Sequence, residues 1–303
     1  MTHLPVDAFR MLISFHYFKK ADVKALSEYC TINGVQPDLF ADSGAYSAWS
    51  QGAEININDY ADWINVNKKY LGVYCNLDVV DNAEETETNQ TILENQGLSP
   101  LPVWHIRSAK KVFEGLCEKY NYIAIGGMVG TPWRKLMPSL IWAFKHSIEK
   151  NVVLHGLGLT AIFPVHNTPF FSVDSSSFGA GFRFGRCPVW DIEQSKRVGV
   201  DLGNKKQVVD RRKAIASLGY DPKRFLNRDV TRQELAGIAG LSAALEEQHV
   251  RKKIGPVALH QRNGDKPYTN FNSNVGVKIF LADGTVPNLT ATCDGLRNYK
   301  DGK

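Results

Sequence analysis

The feature that most constrains this 303-residue chain is a repeated alternation of short apolar runs with helix-like segments, in which a polar or reactive residue closes almost every run. Apolar runs bounded by turn residues predict strands at 10–17, 38–42, 72–77, 101–106, 122–126, 152–156 and 170–173. Between them, helical patterning predicts helices at 21–29, 57–70, 81–94, 108–120 and 133–150. Strands that are apolar on both faces and alternate with helices belong to a parallel sheet covered by helices. The residues closing the runs are Asp42, Asp78, His105, Gly126 with Gly127, His155 and Asp174. An open doubly wound sheet binds ligands near one switch point, whereas the rim of an α/β barrel gathers groups from many strand ends. Reactive ends on six strands therefore point to a closed ring, an α/β fold of the TIM-type (β/α)8-like class. Seven strands are evident, and the eighth is expected from the N-terminal arm or from residues 275–281.

Beyond the seventh strand the pattern changes. Residues 182–202 carry Gly185, Pro188 and Gly199 between short β-rich pieces, as in a hairpin excursion. Helices are predicted at 205–218 and 231–253, the second opened by Thr231-x-x-Glu234, a capping-box spacing. The tail from Gly255 is rich in Asn, Gly and Thr and carries no clear pattern. These observations divide the chain into a barrel over 1–203 and a basic helical appendage with a tail over 204–303. The net charge is only +5, but residues 204–253 hold twelve Lys or Arg against six Asp or Glu, which accounts for the whole surplus. Five scattered cysteines without a C-x-x-C pair disfavour both a disulfide framework and a cysteine zinc knuckle. No apolar run approaches the roughly 20 residues of a membrane helix, and no secretory signal is visible, so a cytoplasmic location away from any membrane is expected.

Two segments place an acid at the mouth of an apolar run: Phe40-Ala-Asp-Ser-Gly-Ala-Tyr46 and Phe170-Phe-Ser-Val-Asp-Ser-Ser-Ser177. Taken singly, Asp42 with Ser43, or Asp174, could merely cap a following helix. Together at one rim they match glycosidic-bond chemistry, which needs one ionised carboxylate to attack the anomeric carbon and another carboxyl to protonate the leaving group. Ile125-Gly-Gly-Met-Val-Gly130 is either a tight turn or a surface where missing β-carbons let a planar ligand meet the backbone. Asp78 suits a guanine-like N–H edge, because a carboxylate only accepts. His105 either binds a ligand or is satisfied structurally.

Asp42-Ser-Gly-Ala-Tyr46, Ala124-Ile-Gly-Gly-Met128, Leu154-His-Gly-Leu-Gly158 and Val173-Asp174 occur in an order and spacing that resemble the queuine and archaeosine tRNA-guanine transglycosylases. Over residues 10–202 the chain looks most similar to short, phage-type DNA-guanine transglycosylases that insert 7-deazaguanines. The resemblance implies Asp174 as nucleophile and Asp42 as general acid/base, with no cofactor. It implies base contacts from Asp78, His105, Ser43 and the backbone of Gly126, Gly127 and Met128, with Tyr46 stacking on one face of the base and His155 on the other. His105 and His155 depart from the Gln and Met usual in the family. The family's structural zinc, held by closely spaced cysteines, has no counterpart after residue 203, where only Cys293 occurs. Arg211, Arg212, Lys213, Lys223, Arg224, Arg228, Arg232, Arg251, Lys252 and Lys253 stand there instead, either as phosphate contacts for DNA (tRNA as the alternative) or as a solvated face. Gly156-x-Gly158-x-x-Ala161 also fits a dinucleotide fingerprint, but Pro164 and Pro169 leave little room for the helix that must hold a pyrophosphate. A nucleic-acid-binding protein without activity is the remaining competing class.

Overall fold

The computed structural model describes residues 9–159, 161–175, 184–260, 275–282 and 286–300. The strands are β1 (Phe9–Ser14), β2 (Pro37–Asp42), β3 (Val73–Tyr74), β4 (Val103–His105), β5 (Tyr122–Gly126), β6 (Val153–Gly156) and β7 (Ser172–Ser175). An antiparallel hairpin follows, β8 (Arg186–Asp191) with β9 (Lys196–Asp201), then a short pair, β10 (Val257–Ala258) with β11 (Val275–Gly276), and finally β12 (Lys278–Ala282). Eight of these form one sheet in the order β3-β2-β1-β12-β7-β6-β5-β4, every neighbouring pair parallel. The expected helices between strands are present at Val23–Ile32, Ile57–Asn67, Ala83–Asn95, Lys110–Lys119 and Trp133–Glu149.

The sheet is strongly curled. In the strand order β2 and β6 are separated by β1, β12 and β7, so a flat sheet would hold them about 19 Å apart at a spacing of ~4.8 Å per strand. Instead, Phe40 of β2 and His155 of β6 stack with ring centroids 4.3 Å apart. Alternation sends Leu12, Phe40, Val73, Val103, Tyr122, Ala124, Val153 and Phe280 to the inside, where they join one apolar cluster drawn from most of the sheet. The opposite face packs on the helices in a second, larger core. Past the ends of β3 and β4 the two edges meet at a parallel bridge, Cys75 to Leu101, where Leu101 N–H donates to Tyr74 O at 2.8 Å and Asn76 N–H to Leu101 O at 2.9 Å.

The eighth strand comes from the segment expected at 275–281, and it enters between β1 and β7. A boundary at 203/204 therefore does not separate a barrel from an appendage: the segment after 203 completes the sheet. The helix Arg232–Ile254 is buried through its middle, with Leu235 through Ala243 all inaccessible, because the sheet, the β8–β9 hairpin and the helix Val286–Lys300 enclose it. Its capping box forms as expected, Thr231 Oγ1 accepting from Glu234 N–H and Glu234 accepting from Thr231 N–H. The single helix expected at 205–218 is two, Lys205–Asp210 and Arg212–Ser217, and the helix Val286–Lys300 was not legible in the tail. Among the described residues no helix is long and apolar enough to cross a membrane, and all five cysteines are buried free thiols.

Below the inner apolar layer lies a buried charged one. Lys278 Nζ is 2.9 Å from Asp38 Oδ2, both side chains fully buried, and Arg10 Nε lies 3.0 Å from Glu247 Oε2. Removing one member strands its partner's charge in the interior, whereas replacing both removes the desolvation cost as well as the attraction. Lys278→Met alone is expected to lower stability by about 3–5 kcal/mol, and the Asp38→Leu/Lys278→Met pair by much less. Urea denaturation of the two variants beside the wild type checks the inequality.

Candidate active site

The alternation that sends Leu12, Phe40 and Val103 inside also sends Ser14, Asp42, Cys75, His105, Gly126, His155 and Asp174 there, toward the carboxyl ends of the strands. Asp42 ends β2 opposite Ser14 of β1. The chain then turns through Gly44, whose φ of +79° and whose approach to Ser14 exclude a side chain: a β-carbon there would lie 2.3 Å from Ser14 Oγ. The turn aims the N–H groups of Ser43 and Gly44 at the Asp42 carboxyl. Burial nevertheless dominates and, with the nearby charges of Asp78 and Asp174, pushes the pKa of Asp42 up to about 8. Asp42 is thus an acid that keeps its proton at neutral pH.

Asp174 lies within β7, level with Phe280, and is 6% exposed. Its Oδ1 accepts a hydrogen bond from Gly158 N–H at 2.8 Å and stands 3.2 Å from His155 Nε2. His155 is wholly buried, one face against Phe40 and an edge contact to Phe280. Burial drives its pKa down, against the pull of Asp174, so the ring is neutral. This corrects the expectation that His155 stacks on a ligand, because it has no uncovered face. Asp78 pairs with His105, Nε2 to Oδ2 at 2.8 Å, and that bond raises the His105 pKa despite burial. Gly126 sits opposite His105 in register, and a β-carbon at 126 would come within 2.9 Å of His105 Cδ2. Gly127, at φ +73°, turns the chain out of β5.

Other expected residues fall differently. Ser43 is buried, and its hydroxyl accepts from Ala45 N–H at the start of the helix Ala45–Ser50. Met128 packs its side chain into the outer core, leaving only its backbone for a ligand. Tyr46 is half exposed beside the mouth, its ring 5.9 Å from that of Trp49. Residues 176–183, which follow Asp174 and β7, lie outside the described residues. Sequence reasoning passed over Ser14, Tyr122, Ser172 and Gly158. The in-out parity of β1, β5 and β7 could have found the first three, and Gly158 was legible only as part of a resemblance motif and of a dinucleotide pattern, with no role of its own. That pattern has no matching geometry: the next helix, Ile162–Asn167, has six residues, and the Gly158 N–H serves Asp174.

The basic residues fall into two groups. Arg251 Nε donates to Val277 O just before β12, and Lys253 Nζ bonds Asn167 Oδ1 just ahead of β7, so Arg251, Lys252 and Lys253 lie at the end of the sheet remote from the carboxylates. They cannot serve a strand whose base enters the mouth. The remainder sits near the other end of the 23-residue helix Arg232–Ile254, about 34 Å away at 1.5 Å per residue. There Arg224 is ion-paired with Glu234 and Asp229, while Arg212, Lys213, Lys223, Arg228 and Arg232 are exposed, Arg228 also donating to Leu202 O; Arg211 is partly buried.

Comparison with known protein families and with characterised proteins finds no match to this sequence.

The two histidines of the mouth should separate in solution. In a nitrogen-15 NMR titration His105 protonates above the ordinary 6.5, and Asp78→Asn, which removes the anion that raises it, brings its midpoint down. An unchanged midpoint in that variant would contradict the ion pair.

Proposed function

We propose that this protein is a base-exchanging glycosylase on a (β/α)8-type barrel, replacing guanine in DNA by a 7-deazaguanine through a covalent sugar–aspartate intermediate, with tRNA as the alternative polymer. The observation that carries the reading is the placement of two inward carboxyl groups in different surroundings at one mouth. Asp42 is held protonated up to about pH 8, while Asp174 receives hydrogen bonds on one oxygen. Divided roles for two carboxyl groups are the requirement of retaining glycosidic chemistry. The barrel assignment is supported by the Cys75–Leu101 bridge between the sheet's two edges.

In this mechanism the target nucleotide leaves the stack, since C1′ is inaccessible inside it. A carboxylate oxygen of Asp174 attacks C1′ as the bond to guanine N9 breaks, and Asp42 gives its proton to the departing base. The incoming 7-deazaguanine then gives its N9 proton to Asp42, its nitrogen attacks C1′, and the Asp174 ester bond breaks. Two inversions restore the configuration, and Asp42 ends protonated as it began. Asp78 with His105 forms the polar wall against which a guanine-like edge would lie. Tyr46 is the exposed aromatic for stacking. DNA is favoured over tRNA because the last hundred residues carry Cys293 alone and cannot supply the tRNA enzymes' cysteine zinc set.

Guanine-labelled duplex DNA and tRNA, each incubated with the protein and 7-cyano-7-deazaguanine, test the reading by label release and base analysis. Release matched by incorporation into DNA is expected, and Asp174→Ala abolishes it while leaving binding intact. Incorporation into tRNA alone moves the substrate, and no release from either leaves a binding protein. Because the protonated form of Asp42 is the active one in the first step, kcat/KM should fall roughly tenfold per pH unit above about 8. A profile flat to pH 10 would remove Asp42 from that role.

Binding should be reported by one basic group. Replacing Arg212, Lys213 and Lys223 with Ala is expected to weaken DNA binding and flatten its salt dependence, by roughly 0.9 in log-log slope for each phosphate no longer neutralised, whereas Lys252→Ala/Lys253→Ala changes neither.

A further inference from the structure

We propose that Tyr122, Ser172 and His155 form a one-way hydrogen-bond relay across the interior of the curled sheet that anchors Asp174 by one oxygen, leaving the other oxygen to react. The inference rests on the reading of Asp174 as the attacking carboxylate. The three positioning residues come from three adjacent strands, β5, β7 and β6, and all are fully buried. The contacts are continuous: Tyr122 Oη to Ser172 Oγ at 2.5 Å, Ser172 Oγ to His155 Nδ1 at 2.6 Å, and His155 Nε2 to Asp174 Oδ1 at 3.2 Å.

The direction follows from proton counting. Gly158 N–H already donates to Asp174 Oδ1 at 2.8 Å, so that oxygen is an acceptor and carries no proton of its own. His155 Nε2 must then be the protonated nitrogen. The ring is neutral, so Nδ1 carries a lone pair and accepts from the Ser172 hydroxyl. Ser172 has only one proton, which is now committed, so Tyr122 must donate to Ser172. Every bond points toward Asp174. The stack on Phe40, at an interplanar angle of 21°, and the edge contact of Phe280 keep the ring in the plane that both bonds require.

Among the described residues the other ionisable groups around Asp174 are Asp42 at the end of β2, Asp78 and Cys75 beyond β3, and His105 on β4, the last already paired with Asp78. None of these groups hydrogen-bonds to Asp174 Oδ1, which is held by His155 and Gly158. A side chain at 155 without a donor would leave that oxygen to the Gly158 N–H alone.

The first test needs no variant: nitrogen-15 NMR of the wild-type His155 imidazole at pH 7 should show the neutral Nε2–H tautomer, and an Nδ1–H tautomer or an imidazolium overturns the relay. The second follows the Asp174 carboxyl by carbon-13 NMR at pH 7. His155→Leu, which removes one of the two donors on Oδ1, should change its chemical shift, and His155→Gln, whose amide can still donate, should restore most of the difference. Equal shifts in all three proteins overturn the proposal. In exchange assays His155→Leu should lower kcat by roughly tenfold with KM unchanged, and His155→Gln should recover most of the loss. The NMR results expected here, without exchange on any nucleic acid, would leave the relay standing and remove the transglycosylase reading. Exchange with the wrong tautomer would remove the relay alone.

Discussion

The contact between Phe40 and His155 depends on curvature, and the chemistry at the mouth depends on the contact. Rings from β2 and β6 meet face to face only because the parallel sheet wraps around a filled interior. Once it does, alternation turns a list of strand-end residues into a convergent group. Asp42, Asp174, Asp78 and His105 come from segments far apart in sequence and share one low-dielectric space, where burial and neighbouring charges raise the pKa of Asp42 and the bond to Asp78 raises that of His105. The same wrapping produces opposite polarity at the two ends of the interior. Carboxyl groups gather at the mouth, and Arg10 and Lys278 lie beneath the apolar layer with Asp38 and Glu247 as partners.

Much of this was legible in sequence because parallel strands buried on both faces leave unbroken apolar runs, and because an acid ending such a run has a defined place on the rim. The strands through Asp42, His105, Gly126 and His155 were readable in that way. The eighth was less so. β12 reads Lys-Ile-Phe-Leu-Ala, and Lys278 on its inner face shortens the apolar signature, since it is there to meet Asp38 rather than to fill volume. The helix Val286–Lys300 follows directly and has no pronounced apolar stripe, so it was lost with the tail.

The acids at the strand ends were legible in the sequence, and the neighbours of His155 were not. Spacing alone presented His155 as a free face at the mouth, but a side chain on the inner side of a curled strand has neighbours from across the sheet, and Phe40 takes that face. The basic segment shows the complementary error. Ten cations close in sequence were read as one surface, although a single long helix carries three of them to the far end of the molecule and ion pairs with Glu234 and Glu247 engage Arg224 and Arg251. Local composition reported the charge, and only tertiary placement showed where it points.

The position of β12 also carries a kinetic consequence. It lies between the first strand and the seventh, yet more than a hundred residues, the hairpin and several helices among them, separate β7 from it in the chain. A sheet grown in the order of synthesis would hold β1 and β7 with their facing edges unpaired until residue 282 is made, and the pairing of β12 with β1 joins segments widely separated in sequence. High sequence separation makes such a closure slow, and an uncovered strand edge invites pairing with another chain. The helix Arg232–Ile254 precedes β12 in the same order and packs on it in the finished fold, so the surface it presents to that strand also waits for residue 282.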